Sequence, residues 1–262
     1  NTLAKLSLPV SVPETAPFLT VREVVMDFGG IRALDEMSLD LSQGEVKSII
    51  GPNGCGKSTL FRVISGDLDP TSGQVFFKGE TIPNLSPQEI CHKGIARKFQ
   101  IPSVFDDLSV AENIEIAITA ATKHYAPFGL LRGGPDRSSY GSVLAETSLL
   151  EYADKQASEL PHGIRQQLEI ALLVVTDARL LLLDEPTAGM TEEETDAIVH
   201  MIQDVRDRLG VAVLVIEHDM SFVRKLGSPV IVMMEGAALR EGDYAAISED
   251  AEIRRAYLGD IE

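Results

Sequence analysis

The stretch Gly51-Pro52-Asn53-Gly54-Cys55-Gly56-Lys57-Ser58-Thr59 constrains this chain more than any other. It follows an apolar run, Val46 to Ile50, and precedes Leu60-Phe61-Arg62-Val63-Ile64, which has the character of a helix. Strand, glycine-rich turn, Lys-Ser-Thr and helix is the arrangement of a phosphate-binding loop. Glycines let consecutive backbone N–H groups converge on an anion, and the helix N-terminus adds a partial positive charge. Lys57 is then expected to reach the β- and γ-phosphates, and the Ser58 hydroxyl to ligate Mg²⁺. Glycines alone would more often make only a turn. With Lys-Ser-Thr attached and a strand before it, the stretch points to a bound nucleoside triphosphate.

A second anchor is Leu180-Leu181-Leu182-Leu183-Asp184-Glu185-Pro186. Four apolar residues suit a strand buried on both faces, and they deliver two carboxylates at its C-terminal end, where α/β sheets place ligands. Asp184 is expected to hold Mg²⁺, through water, and Glu185 to polarise the attacking water. Beyond it, Thr191 with Glu194 three residues later forms a capping box. Ile198, Met201, Ile202, Val205 and Leu209 follow on one helical face, and Gly210 can end that helix. The apolar runs Val211 to Ile216 and Val230 to Met234 read as further buried strands, so the strand–helix–strand order predicts a parallel sheet.

The remainder is ordered around these anchors. Leu19 to Val25 and Met37 to Leu41 read as strands separated by Phe28-Gly29-Gly30, and Gln74 to Lys78 as a strand ending in a turn. Residues 1–17, interrupted by Pro9, Pro13 and Pro17, read as a flexible lead-in without a signal-peptide pattern. From roughly residue 86 to 160 helical patterns dominate, a helical subdomain inserted into an α/β core that spans residues 18–262. The formal charge of −17 over 262 residues disfavours nucleic acid or an anionic membrane as the main partner. The two cysteines, Cys55 and Cys91, give no disulfide framework. No apolar run approaches the ~18 to 20 residues needed to span a bilayer.

On these motifs the sequence resembles an ATP-binding cassette ATPase from Leu19 to Gly259. The resemblance implies a P-loop fold of mixed sheet, antiparallel β subdomain and helical insertion, with ATP and Mg²⁺ bound by the loop from Gly51 to Thr59 and by Asp184. It assigns Phe28 to the aromatic that stacks on adenine, although a core phenylalanine is the competing reading. It assigns Gln100, in Arg97-Lys98-Phe99-Gln100, to the Q-loop that touches Mg²⁺. His218, in Glu217-His218-Asp219-Met220, matches the switch histidine that contacts the γ-phosphate. Lys57, Glu185 and His218 would make the hydrolytic set. The family's Leu-Ser-Gly-Gly-Gln signature, which faces the ATP of a paired cassette, reads here Leu160-Pro161-His162-Gly163-Ile164. Proline supplies neither a hydroxyl nor an N–H. Pro161 remains suited to starting a helix. Thr191 replaces an Asp common in the D-loop.

Within the family the resemblance is to importers of branched-chain amino acids, amides and urea, the urea type being the nearest. It rests on Phe28 to Leu34, Gly94 to Gln100, Ala188-Gly189-Met190-Thr191, Glu217 to Arg224 and Ala256-Tyr257-Leu258-Gly259. Such a subunit would sit at the cytoplasmic face of the membrane. It would pair with a second ATPase, expected to be a different one, and with two transmembrane permease subunits fed by a solute-binding protein. Ile101 to Phe105 would either dock a permease helix or pack within the subunit. The alternatives are a lipid-extracting or export cassette, a cassette acting on DNA or ribosomes, and a weakly hydrolysing regulatory subunit. The charge disfavours nucleic acid, and retention of Lys57, Glu185 and His218 disfavours a pure binder.

Overall fold

The computed structural model describes residues 17–82, 85, 87–97, 104–123 and 147–253. The chain begins with β1 (Leu19–Phe28) and β2 (Ile31–Leu41), then enters β3 (Val46–Ile50) and α1 (Lys57–Ile64). β4 (Ser72–Phe77), β5 (Glu80–Thr81), α2 (Pro87–Lys93), β6 (Ile95–Arg97) and α3 (Val110–Lys123) follow. After two 3₁₀ turns, Ser148–Tyr152 and Ala157–Glu159, come α4 (His162–Val174), β7 (Leu180–Asp184), α5 (Glu192–Leu209) and β8 (Ala212–Ile216). The chain continues through α6 (Met220–Leu226), β9 (Val230–Met234), β10 (Ala237–Gly242), α7 (Tyr244–Glu249) and α8 (Ala251–Ile253).

The strands form an antiparallel sheet in the order β2-β1-β4-β5 and a six-stranded sheet in the order β10-β9-β3-β8-β7-β6. In the larger sheet only the β9–β10 pair is antiparallel. Successive side chains of a strand point to opposite faces, and the core divides accordingly. Leu181, Leu183, Val213 and Val215 pack toward α4, α5 and α6. Leu180, Leu182, Leu214 and Ile216 pack into the cluster shared with α1 and the antiparallel sheet. Both faces being covered explains why these strands read as unbroken apolar runs. Each buried leucine contributes about 1.5–3 kcal/mol by leaving water.

One feature departs from the sequence-based expectation. Ile95–Arg97, within the stretch expected to be helical, is a strand of the main sheet and pairs in parallel with β7. Three residues are too few to show a period of two. The expected helical region also extends over residues that the structure does not describe, as does nearly all of the 1–17 lead-in. β3 carries two buried polar residues: Ser48, whose hydroxyl is 2.9 Å from that of Ser228, and Lys47, whose ammonium donates to the Asp40 carbonyl at 2.7 Å and to Glu241 at 2.6 Å.

Parallel register is what assembles the site. Ile49 stands opposite Ile216, and Ile216 opposite Asp184, so β3, β8 and β7 end together. The residues just past these ends are Gly51, Glu217 and Glu185.

Candidate functional site

The loop from Gly51 to Gly56 is made of backbone. A Cβ on Gly51 would lie 2.3 Å from the Met233 carbonyl oxygen, and one on Gly56, at φ 104°, 2.3 Å from that of Ala33. Neither contact can relax by moving a side chain, so these positions require glycine. Gly56 is the N-cap of α1, and no side chain caps that helix or places an acid in its first turn. Its leading N–H groups are therefore left to an anion. Lys57 is buried and folds back over the loop, donating to the carbonyls of Gly51 at 2.8 Å and Pro52 at 2.9 Å. Those bonds hold the ammonium over the cradle. The Cys55 thiol is 3.9 Å from it, and burial pushes that thiol up from its ordinary pKa.

Asp184 and Ser58, two of the three expected Mg²⁺ ligands, are brought close together, and the Ser58 hydroxyl favours the charged form of the carboxylate. Burial pushes the Asp184 carboxyl up; Arg97 opposes this, and the neighbouring Glu185 charge adds to it. Among the described residues no cluster of three His, Cys, Asp or Glu side chains could hold a metal by itself. Two oxygen donors beside a phosphate cradle fit Mg²⁺, which is commonly held by one or two protein groups together with substrate phosphates and water. Arg97 had drawn no role from the sequence. Its buried guanidinium reaches Asp67 at 3.0 Å and Asp184 at 3.8 Å, tying the turn after α1 to the end of β7.

Glu185 follows β7 with φ 48°, a left-handed conformation that strains a residue carrying a Cβ. Its N–H is fixed to the Ile216 carbonyl at 2.9 Å. The side chain is thereby turned out of the sheet, and His218 Nε2 stands 3.0 Å from its Oε1. A carboxylate and an imidazole thus meet beside the phosphate loop, the arrangement needed to orient a water molecule against a terminal phosphate.

Residues 34–188 match the family model for the ABC transporter. The chain belongs to that family. It is 35% identical over 251 residues to the high-affinity branched-chain amino acid transport ATP-binding protein LivG of Salmonella typhimurium, covering 93% of this chain and 98% of that protein. The corresponding protein BraF of Pseudomonas aeruginosa matches at 35% with the same coverage. Among solved structures, the ADP conformation of MJ1267, an ATP-binding cassette of an ABC transporter, superposes with a TM-score of 0.79 at 29% identity. That match covers 94% of this chain and all of the other. A nucleotide-free ATP-binding cassette from an ABC transporter gives 0.78 at 29%, covering 93% and 99%. This chain is an ABC-type ATPase.

In this cassette Phe28 closes β1 at the tip of a tight Gly29-Gly30 hairpin and is 44% exposed, so it is not a core residue. The signature segment lies at the start of α4. Pro161 is the N-cap, one position ahead of the first helical turn where proline is most often found, and its carbonyl accepts from the Arg165 N–H at 2.9 Å. Leu160 packs against the core, while Pro161 and His162 are exposed. His162 Nε2 is 3.1 Å from the Ala188 carbonyl, a contact that requires its proton on Nε2. Ile164 is partly buried and packs on the core. The Gly163 N–H donates to Glu194 at 3.1 Å, and Glu194 also accepts from the Thr191 N–H at 2.9 Å. Thr191, unusual for a D-loop, is the N-cap of α5. Gln100 lies outside the described residues, together with Lys98, Phe99 and the terminal Ala256-Tyr257-Leu258-Gly259. Sequence reasoning missed Arg97, Asp67 and the second partner of Glu194. Their bonds cross 30 or 31 positions of chain.

Proposed function

We propose that this chain is the ATP-hydrolysing subunit of an importer for a small polar solute of the branched-chain amino acid, urea or short-amide class. The Glu185–His218 pair, 3.0 Å apart beside an uncapped helix end, carries the hydrolytic part of this reading. The solute class is supported by relatives named as branched-chain amino acid transport proteins, to which this chain is 35% identical.

In this mechanism the N–H groups of the Gly51–Ser58 loop and the Lys57 ammonium hold the β- and γ-phosphates. Phe28 offers its exposed face to adenine. Ser58, Asp184 and Gln100 would hold Mg²⁺, which would neutralise phosphate charge. Glu185 accepts a hydrogen bond from the attacking water, and His218 holds Glu185 and the γ-phosphate in one frame. Proton removal by a positioned base contributes roughly 10²–10⁴-fold.

The product of this chemistry is movement of membrane subunits. No described helix is long and apolar enough to cross a membrane. Coupling to permeases runs through the stretch after Gln100, where Phe105 is 44% exposed and Asp106 pairs with Arg165 of α4 at 2.7 Å. The subunit works at the cytoplasmic face, paired with a second, different cassette and served by a solute-binding protein. Its own loop, Glu185 and His218 make the competent ATP site. The partner's ATP faces a depleted signature, because Pro161 has no hydroxyl or N–H to offer and the Gly163 N–H is already bonded to Glu194.

The test is ATP hydrolysis by the purified chain, alone and then with candidate partner cassette and membrane subunits. Activity confined to the mixture and removed by Glu185→Gln in this chain is the expected outcome. Strong activity alone would remove the asymmetry, and hydrolysis in no mixture would remove the hydrolytic reading.

A further inference from the structure

Glu217 is the residue between β8 and His218, and it is 3% exposed. Among the described residues no lysine or arginine pairs with it. Its carboxylate is met instead by four hydrogen-bond donors from two chain segments. On Oε1, the Thr187 N–H donates at 2.9 Å and the Thr187 hydroxyl at 2.7 Å. On Oε2, the His218 N–H donates at 3.0 Å and the Asp219 N–H at 3.4 Å. Thr187 lies two residues beyond Glu185. One side chain therefore joins the segment that carries Glu185 to the segment that carries His218, just past the point where the sheet ceases to hold them together.

The surroundings make this joint consequential. The Glu217 N–H is bonded to the Ile49 carbonyl at 3.2 Å, so the joint is referred to β3 and the phosphate loop. Glu185 is held at φ 48°, and strain of this kind persists only when the chain is fixed on both sides. On one side its N–H is tied to Ile216. On the other the tie is Thr187 to Glu217. The chemistry also selects the residue type. An ionised carboxylate accepts at both ends, whereas a carboxamide brings an NH₂ that must face an N–H on one side or the other.

We infer that Glu217 is a positioning residue, which fixes the separation of Glu185 and His218 and thereby the geometry of hydrolysis. The inference rests on the reading of Glu185 and His218 as hydrolytic residues. Glu217 acts through the Thr187 and His218 segments that its carboxylate binds.

The experiment uses the full chain with the partner subunits that give ATP turnover, comparing Glu217→Gln, Thr187→Val and their double. Glu217→Gln is expected to lower kcat about 10- to 100-fold, the scale of a displaced catalytic group. KM for ATP and binding of a fluorescent ATP analogue should stay within about twofold, because ground-state contacts are untouched. Thr187→Val should show a smaller loss of the same kind. Adding Glu217→Gln to Thr187→Val should cost less than about twofold more, since each change breaks the same joint. Wild-type kcat in folded Glu217→Gln, or multiplicative losses in the double, would overturn the inference. If Glu217→Gln does not fold, Thr187→Val decides: wild-type kcat in that folded variant would overturn the inference. Glu185→Gln is run in parallel: wild-type turnover there removes the hydrolytic reading itself, whatever Glu217 does.

Discussion

Two helix N-termini in this molecule are built in opposite ways. α1 begins at Gly56 with no side-chain cap and no acid in its first turn, beneath a loop that only glycine can make. α4 begins at Pro161, and the carboxylate of Glu194, reaching over from α5, takes the Gly163 N–H. A helix start carries unpaired N–H groups and a partial positive charge, and both must be answered. At α4 a side chain answers from within the subunit. At α1 the answer is left to a ligand, and Lys57 is buried beside that helix end to share in it. The same local physics makes one end a phosphate site and the other a fixture.

The comparison can be broken most directly at α1. Replacing Lys57 with Ala removes the ammonium and leaves the Gly51 and Pro52 carbonyls without their donor. Hydrogen bonds to charged groups are worth about 1.5–3 kcal/mol, so ATP binding should weaken roughly 10- to 100-fold. Titration with a fluorescent ATP analogue measures this. Affinity within about twofold of wild type would mean that the open end of α1 is not where the phosphates sit.

A smaller effect is expected at α4. Glu194→Ala opens the helix and removes half of a capping box, at a cost of about 1 kcal/mol, which lowers Tm by roughly 2–4 °C in a domain of this size. Pro161→Ser restores a hydroxyl at the same end. In a mixed pair of cassettes each change should raise ATP turnover or leave it unchanged, with an upper limit of roughly 10- to 100-fold set by one charge-assisted contact acting in the transition state. A large loss with Pro161→Ser would show that the proline-started end already serves the partner's ATP, and the contrast between the two helices would disappear.

How much of this was legible in the sequence depended on distance along the chain. Gly51 to Thr59, the leucines leading to Asp184, and the Thr191–Glu194 box are local patterns, and the structure places each as the pattern requires. The box also shows where legibility ends. Thr191 is three residues from Glu194 and could be read. Gly163, which the same carboxylate binds, is 31 residues away and could not. Glu217 was visible only as a neighbour of His218, because its meaning lies in Thr187, 30 positions earlier. Strand β6 was hidden for another reason: three residues between helical stretches show no period, and only the pairing with β7 makes them a strand.

The finest test of the open end uses Cys55, which lies inside it. The thiol is 5% exposed, and burial raises its pKa more than the nearby Lys57 charge and N–H groups lower it. Little thiolate is then present at neutral pH, and alkylation proceeds through the thiolate. Modification by iodoacetamide should be slow at pH 7 and quicken about tenfold per pH unit until the thiol pKa is reached. Cys91, also shifted upward by burial, shares the pH trend, so a Cys91→Ser chain isolates the signal. ATP should slow the reaction at Cys55, and completed alkylation should abolish ATP binding, because a Cβ placed at Gly51 would lie only 2.8 Å from this sulfur, leaving no room for an added group without distorting the loop. A fully alkylated chain that binds ATP with unchanged affinity would place the phosphates elsewhere. Protection by ATP together with loss of binding would fix them against the backbone from Gly51 to Gly56, where α1 has no cap of its own.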